Sequence, residues 1–169
     1  MGCSVGGSCA LEVLNLAPER VAATILIGTK ARHDPDPAFA TEICEFVEMQ
    51  GVQVAWDRYW KPLFAEFDDS YEISEKLALM QSRERLIRGL IAFHTRLSRE
   101  EVVANSQSPI HIVTGDQDTL PGLEYARELA ALSPKAELHI IENCGHYAPI
   151  MRPGEINALI ADVTRSVVF

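Results

Sequence analysis

The chain has 169 residues, 47% apolar and 23% charged, with a formal net charge of −9 at pH 7. That length and balance suit a globular domain with a sizeable core, and the acidic surplus argues against nucleic acid or an anionic membrane as the main partner. The apolar runs are too short to span a bilayer and no secretory leader opens the chain, so the expected location is cytoplasmic.

The first section, residues 1–32, opens "MGCSVGGSCALEVL". Gly2–Gly6 reads G-x-S-x-G, the pattern of a nucleophile elbow, a sharp turn that joins a strand to a helix. Small residues at Gly2 and Gly6 would let the chain turn and carry the Ser4 hydroxyl clear of the backbone. The alternative is a flexible, glycine-rich N-terminus. "SCALEVLNLAPERV" has helical spacing, with Leu11, Val13, Leu14 and Leu16 as expected buried positions, and Pro18 marks its end. "VAATILIGT" is a near-continuous apolar run, as expected of a strand buried on both faces of a parallel sheet.

The middle section, 33–107, contains no convincing strand and predicts about five short helices. "PAFATEICEFVEMQG" should end at Gly51. Pro62 should end or kink "VQVAWDRYWKPLF". "SYEISEKLALM" and "SRERLIRGLIAFHTRL" space apolar residues three and four apart, and Ser98 with Glu101 has the spacing of a capping box. From residue 108 the texture changes again. "IHIVTGDQD" predicts a strand and turn, "GLEYARELAALS" a helix, "AELHIIENCGH" a strand and glycine turn, and "PGEINALIADVTRSVV" a helix with Pro153 in its first turn. Strand, helix, strand, helix is the pattern of a parallel α/β unit.

Three residue types at the predicted strand ends could carry chemistry. Ser4 needs a base before its hydroxyl becomes nucleophilic, and the amide of Val5, next in the chain, would point toward a developing oxyanion. His146, in the turn of "ENCGHYAP", can act as general base and then as general acid; the plainer alternative is a surface-loop histidine. Asp116 and Asp118 both follow the strand "IHIVT", and either could orient an imidazole or serve only the turn. His33, His94, His111 and His139 are weaker candidates. Cys3, Cys9, Cys44 and Cys144 form no C-x-x-C pair and read as free thiols in a reducing compartment. They do not cluster with histidine as a zinc site would require. No cofactor and no metal are expected.

Taken together, "GCSVGGSCALEVLNLAPERVAATILIGT" and "PIHIVTGDQDTLPGLEYARELAALSPKAELHIIENCGHYAPIMRPGEINALI" resemble the serine-dependent α/β-hydrolase superfamily over nearly the whole chain, in the order Ser, Asp, His. The resemblance implies an α/β fold corresponding to the C-terminal portion of an α/β-hydrolase. About three parallel strands with flanking helices would form the core from 1–32 and 108–169, and an all-helical lid would occupy 33–107. It implies Ser4 as nucleophile, His146 as base, Val5 N–H as an oxyanion donor and, by the family's G-x-x-D turn, Asp118 as the acid. Serine at the elbow sets the chain apart from dehalogenases and epoxide hydrolases of similar fold, which use aspartate. Dienelactone hydrolases use cysteine at the elbow, and Cys3 is one position too early for that role.

The implied reaction is hydrolysis of an ester, thioester or lactone-like carbonyl through an acyl-enzyme, on a small-molecule substrate. Acyl transfer by the same fold and small-molecule binding without turnover are the alternatives. The aromatics Trp56, Tyr59, Trp60, Phe64, Phe67 and Phe93 are expected mainly in the lid's own core. Cys3, Trp60, Phe93 and Ile150 are the candidates for pocket walls. The full fold has further strands before the elbow, so Met1 reads as an internal methionine. The strand at "AATILIG" is then expected to lack one neighbour and to leave an exposed sheet edge. That edge would be covered by a missing N-terminal half or by self-association, and the 169 residues alone are expected to be nearly inert.

Overall fold

Every residue of the strand Thr24–Ile27 is buried. Here it is called β2, since the computed structural model, which describes residues 1–64 and 69–167, places a two-residue strand, β1 (Gly2–Cys3), before it. The other strands are β3 (Ile110–Gly115) and β4 (Ala136–Ile141). Among the described residues these form one sheet in the order β1-β2-β3-β4, parallel throughout. The expected three strands are therefore four. Gly2 pairs with Leu26 and Cys3 with Ile27, and Ser4 N–H donates to Ile27 O at 2.8 Å. A strand does lead into Ser4, and β2 has a neighbour on each side along Leu26–Ile27.

Alternation along the strands separates two apolar layers. Leu26, Ile110 and Ile112 meet Leu11 and Leu14 of α1 (Val5–Leu16), Val103 of α5 (Glu100–Ala104), and Ala126 and Leu129 of α6 (Leu123–Ala131). Ile25, Ile27, Val113 and Ile141 meet Ile156 and Val163 of α8 (Pro153–Ser166), which follows the short α7 (Ala148–Met151). Gly7, Leu11 and Leu14 form the buried stripe of α1. Val13 and Leu16, expected inside, are exposed because they fall off that stripe.

The chain divides into two compact units, Met1–Arg32 with Arg99–Phe169, and His33–Ser98. The helical unit thus ends at Ser98, not at 107. The reason is local. Arg99 N–H donates to Ala31 O at 2.8 Å, its guanidinium pairs with Glu12 at 2.7 Å, and Val103 is fully buried in the first layer. Arg99 rather than Ser98 occupies the N-cap position of α5.

Within the helical unit, α2 (Pro37–Ala55) starts on an Asp36 side-chain cap to Phe39 N–H. Its first stretch ends at Gly51 as expected: that residue is non-helical, at φ 83° and ψ 172°, and a second helical stretch follows the kink. A π-helical turn, Trp56–Trp60, and a 3₁₀ turn, Lys61–Leu63, follow. The helices α3 (Asp69–Leu79) and α4 (Arg83–His94) complete the unit, the latter capped by Ser82. Ile43, Val47, Ala55 and Leu90 form its core, with Phe39, Phe46, Tyr59 and Trp60 packed on it. Trp56 is buried beside Phe64 and Tyr71. No helix among the described residues is long and apolar enough to cross a membrane.

Candidate active site

Ser4 stands between β1 and α1 with φ 52° and ψ −116°. A non-glycine residue there is strained, by about 1–3 kcal/mol. The surrounding chain holds it. Gly7 and Ser8 amides donate to Ser4 O at 3.0 and 3.3 Å. A Cβ on Gly2 would fall 2.0 Å from Gly6 O, so the turn closes only with glycine at that position. At Gly6 a Cβ would meet nothing. The second steric demand falls on Gly7, where a Cβ would lie 1.8 Å from Thr29 Oγ1. Val5 begins the helix, so its amide has no intrahelical acceptor.

The turns after β3 and β4 are locked to each other. Asp116 N–H donates to Ile141 O, and Gln117 N–H to Cys144 O, both at 3.0 Å. Cys144 N–H donates to Asp116 Oδ1 at 3.1 Å. The amides of Cys144 and then Asn143 hold the Asp116 carboxyl below the usual carboxylate range. Gly115 permits the approach, since a Cβ there would lie 1.9 Å from Cys144 O. Asp116 is thus an exposed loop pin.

Asp118 and His146 are the pair this interlock delivers. They are 6% and 3% exposed, and His146 Nδ1 lies 3.2 Å from both Asp118 carboxylate oxygens. Asp118 Oδ1 also accepts the Leu120 amide at 2.8 Å. With a carboxylate as acceptor, the imidazole proton sits on Nδ1 and Nε2 is the basic nitrogen. That Nε2 is buried without a hydrogen-bond partner. A bare buried acceptor costs about 1–3 kcal/mol, and such atoms concentrate where function needs them.

Gly28 lies between this pair and the turn at Ser4, and as a letter it read only as a strand-closing glycine. Its φ is 52°, and a Cβ on it would lie 3.0 Å from His146 Nδ1 and 3.2 Å from Asp118 Oδ2. Since Cys3 pairs with Ile27, Ser4 stands one register step on, beside Gly28. Gly28→Ala is expected to destabilise the fold by about 1–3 kcal/mol and to displace the imidazole. Its near-ultraviolet spectrum and activity would change together, whereas Gly6→Ala should alter neither.

The cysteines next to the site are poor nucleophiles. Burial, then Asp118 and Cys144, push the Cys3 thiol up to about 12. Burial pushes Cys144 up to about 11. Tyr147 rises to about 12, through burial and then Cys3 and Asp118. At pH 8 a thiol of pKa about 12 is ionised in roughly one molecule in 10⁴. Brief iodoacetamide treatment at pH 8, read by peptide mass spectrometry, should therefore modify exposed Cys9 and spare Cys3 and Cys144.

Of the pocket candidates, Cys3 and Ile150 are half-buried in the sheet unit, Cys3 packed against the α8 layer. Trp60 belongs to the helical unit's own core, and Phe93 carries the Arg96 guanidinium 3.8 Å from its ring centre. Phe67 lies outside the described residues.

Comparisons with known proteins agree with this architecture. The family model described as "Alpha/beta hydrolase family" matches residues 1–159. A thermophilic esterase from Thermogutta terrifontis, solved with malate bound, is similar at a TM-score of 0.90 and 21% identity, over 98% of this chain and 64% of its own. An esterase from Exiguobacterium antarcticum is similar at 0.78 and 19%, over 96% and 65%. The enol-lactonase from Burkholderia xenovorans is similar at 0.75 and 18%, over 98% and 64%. The chain thus spans just under two thirds of the length of these proteins. A parallel sheet between helical layers, a strand-to-helix turn with Ser4 at positive φ, and a family match over nearly the whole sequence lead to one conclusion: this chain belongs to the alpha/beta hydrolase family.

Proposed function

We propose that the chain carries the nucleophile, base and acid of a serine hydrolase that cleaves a small ester, thioester or lactone. The observation that carries this reading is the buried, unpartnered Nε2 of His146, its ring held from the other side by Asp118 and seated against Gly28, next to Ser4. The similar esterases and enol-lactonase support the substrate class.

In the proposed reaction the Ser4 hydroxyl oxygen attacks the substrate carbonyl carbon while Nε2 takes its proton. The Val5 amide donates to the oxyanion of the tetrahedral intermediate. As that collapses, the imidazolium returns the proton to the departing alcohol or thiol, leaving an acyl group on Ser4. Water, deprotonated by the same nitrogen, then releases the acid. Asp118 keeps Nδ1 protonated and stabilises the imidazolium. No cofactor enters these steps. Cys3 and Ile150 are proposed to contact the acyl group.

One amide is assigned to the oxyanion, and a missing oxyanion donor costs roughly 10²–10³ in rate. Slow turnover is therefore expected of the 169-residue chain. Mixing it with p-nitrophenyl acetate should release nitrophenol slowly, faster than buffer alone and faster than the Ser4→Ala variant. Acyl transfer to an added alcohol in preference to water would indicate a transferase. Saturable binding with no nitrophenol release would indicate a binding protein and would refute the proposal.

A further inference from the structure

Three side chains outside the elbow and its partners converge on one point. His111 is the second residue of β3 and Glu137 the second of β4, and the two are direct register partners. His139 lies two residues beyond Glu137, on the same face. His111 Nδ1 is 3.0 Å from His139 Nε2. Glu137 Oε2 is 3.7 Å from that Nδ1, and Glu137 Oε1 is 3.8 Å from that Nε2. All three ligand atoms lie within 4.8 Å of one another.

We propose that His111, Glu137 and His139 form a binding site for a divalent transition-metal ion of the zinc class, bridging β3 and β4. Zinc binds imidazole nitrogen and carboxylate oxygen at about 2.0–2.2 Å, which sets neighbouring ligand atoms of a tetrahedron roughly 3.3 Å apart. The two imidazole nitrogens stand 3.0 Å apart and one Glu137 oxygen lies within 4.8 Å of both, a gap that rotation of the exposed Glu137 side chain would close. Two imidazoles with one carboxylate select zinc, nickel or copper over magnesium and calcium, which take oxygen ligands.

The placement is otherwise costly. Elsewhere this sheet face carries Ile25, Ile27, Val113 and Ile141. Two imidazoles here forgo that apolar burial and meet each other at half-buried positions. The site sits near the starts of β3 and β4, whereas Asp118 and His146 follow their ends, so it is separate from the catalytic candidates. Its role would be a clamp across the strand pair that delivers Asp118 and His146. His111 precedes Glu137 by 26 residues and His139 by 28, and no Cys–His spacing reveals them.

The test is calorimetric titration of the 169-residue chain with zinc chloride, beside thermal unfolding with and without the metal. One ion per chain is expected, with melting raised by about 5 °C or more at a hundredfold excess over Kd. Affinity should fall at least tenfold in His139→Gln, by less in Glu137→Gln, and not at all in Asp116→Asn. Magnesium should not bind. Histidine ring signals in NMR should shift at His111 and His139 and at no other histidine, a readout that needs no variant. Absence of binding up to about 1 mM zinc, unchanged affinity in His139→Gln, or shifts at other histidines would overturn the proposal.

Discussion

Ser4→Ala is expected to lower ester cleavage by roughly 10⁴-fold or more while leaving the fold intact. The side chain is half-exposed, so its removal opens no core cavity, and alanine pays the same backbone strain at φ 52° that serine pays. Ser4→Gly separates chemistry from stability more sharply. Glycine occupies positive φ freely, so this variant should be as inactive as Ser4→Ala yet more stable than the parent by about 1 kcal/mol, net of its greater unfolded-state entropy. A protein that gains stability when its proposed nucleophile is removed displays the usual conflict between a strained site and a relaxed fold. Chemical denaturation of the three proteins, with nitrophenyl ester assays on each, checks both halves.

Asp118→Asn should cost about 10⁴-fold in rate, through the tautomer rather than the shape. An amide in that place can donate to Nδ1, which moves the imidazole proton to Nε2, where it blocks the base. Asp118→Ala should be worse for stability, since the buried Nδ1–H then loses its acceptor, at about 1–3 kcal/mol. Asp116→Asn is the matched control two residues away. Asp116 accepts from the Cys144 amide and makes no contact with the imidazole that the structure records, so most activity should survive. Its effect should appear instead in acid. A carboxyl held low in the folded state contributes stability that is present above its unfolded pKa, near 4, and is lost as the pH falls through the lower folded value. Parent protein should therefore lose stability relative to Asp116→Asn below about pH 4.

These two aspartates also mark where sequence reading stopped. Both follow the same strand, both suit a turn, and composition alone does not separate them; only family resemblance singled out Asp118. The pairing distance and the burial difference are three-dimensional facts. Strand β2 was legible because a doubly covered parallel strand needs an unbroken apolar run, and β3 and β4 because short stretches rich in branched aliphatic residues close on turn residues. Strand β1 was not, because two residues carry no period. Val13 and Leu16 were misplaced because a helix of apolar residues leaves its buried stripe undetermined until its partners are known. Gly7 and Gly28 were unremarkable as letters, and they matter through Thr29 Oγ1 and His146 Nδ1, which lie 22 and 118 positions further along the chain. His111 and His139 were set aside as strand histidines, since their meeting depends on the register of β3 against β4.

The central claim is that Ser4 is an activated nucleophile with His146 as its base. Incubation of the chain with a fluorophosphonate, followed by peptide mass spectrometry, tests it with a single covalent event and so tolerates slow turnover. One adduct per chain is expected, on Ser4, formed at a rate that collapses in His146→Ala and Asp118→Asn and is unaffected by Cys3→Ser. An adduct on another residue, no adduct at all, or an equal rate without His146 would contradict it.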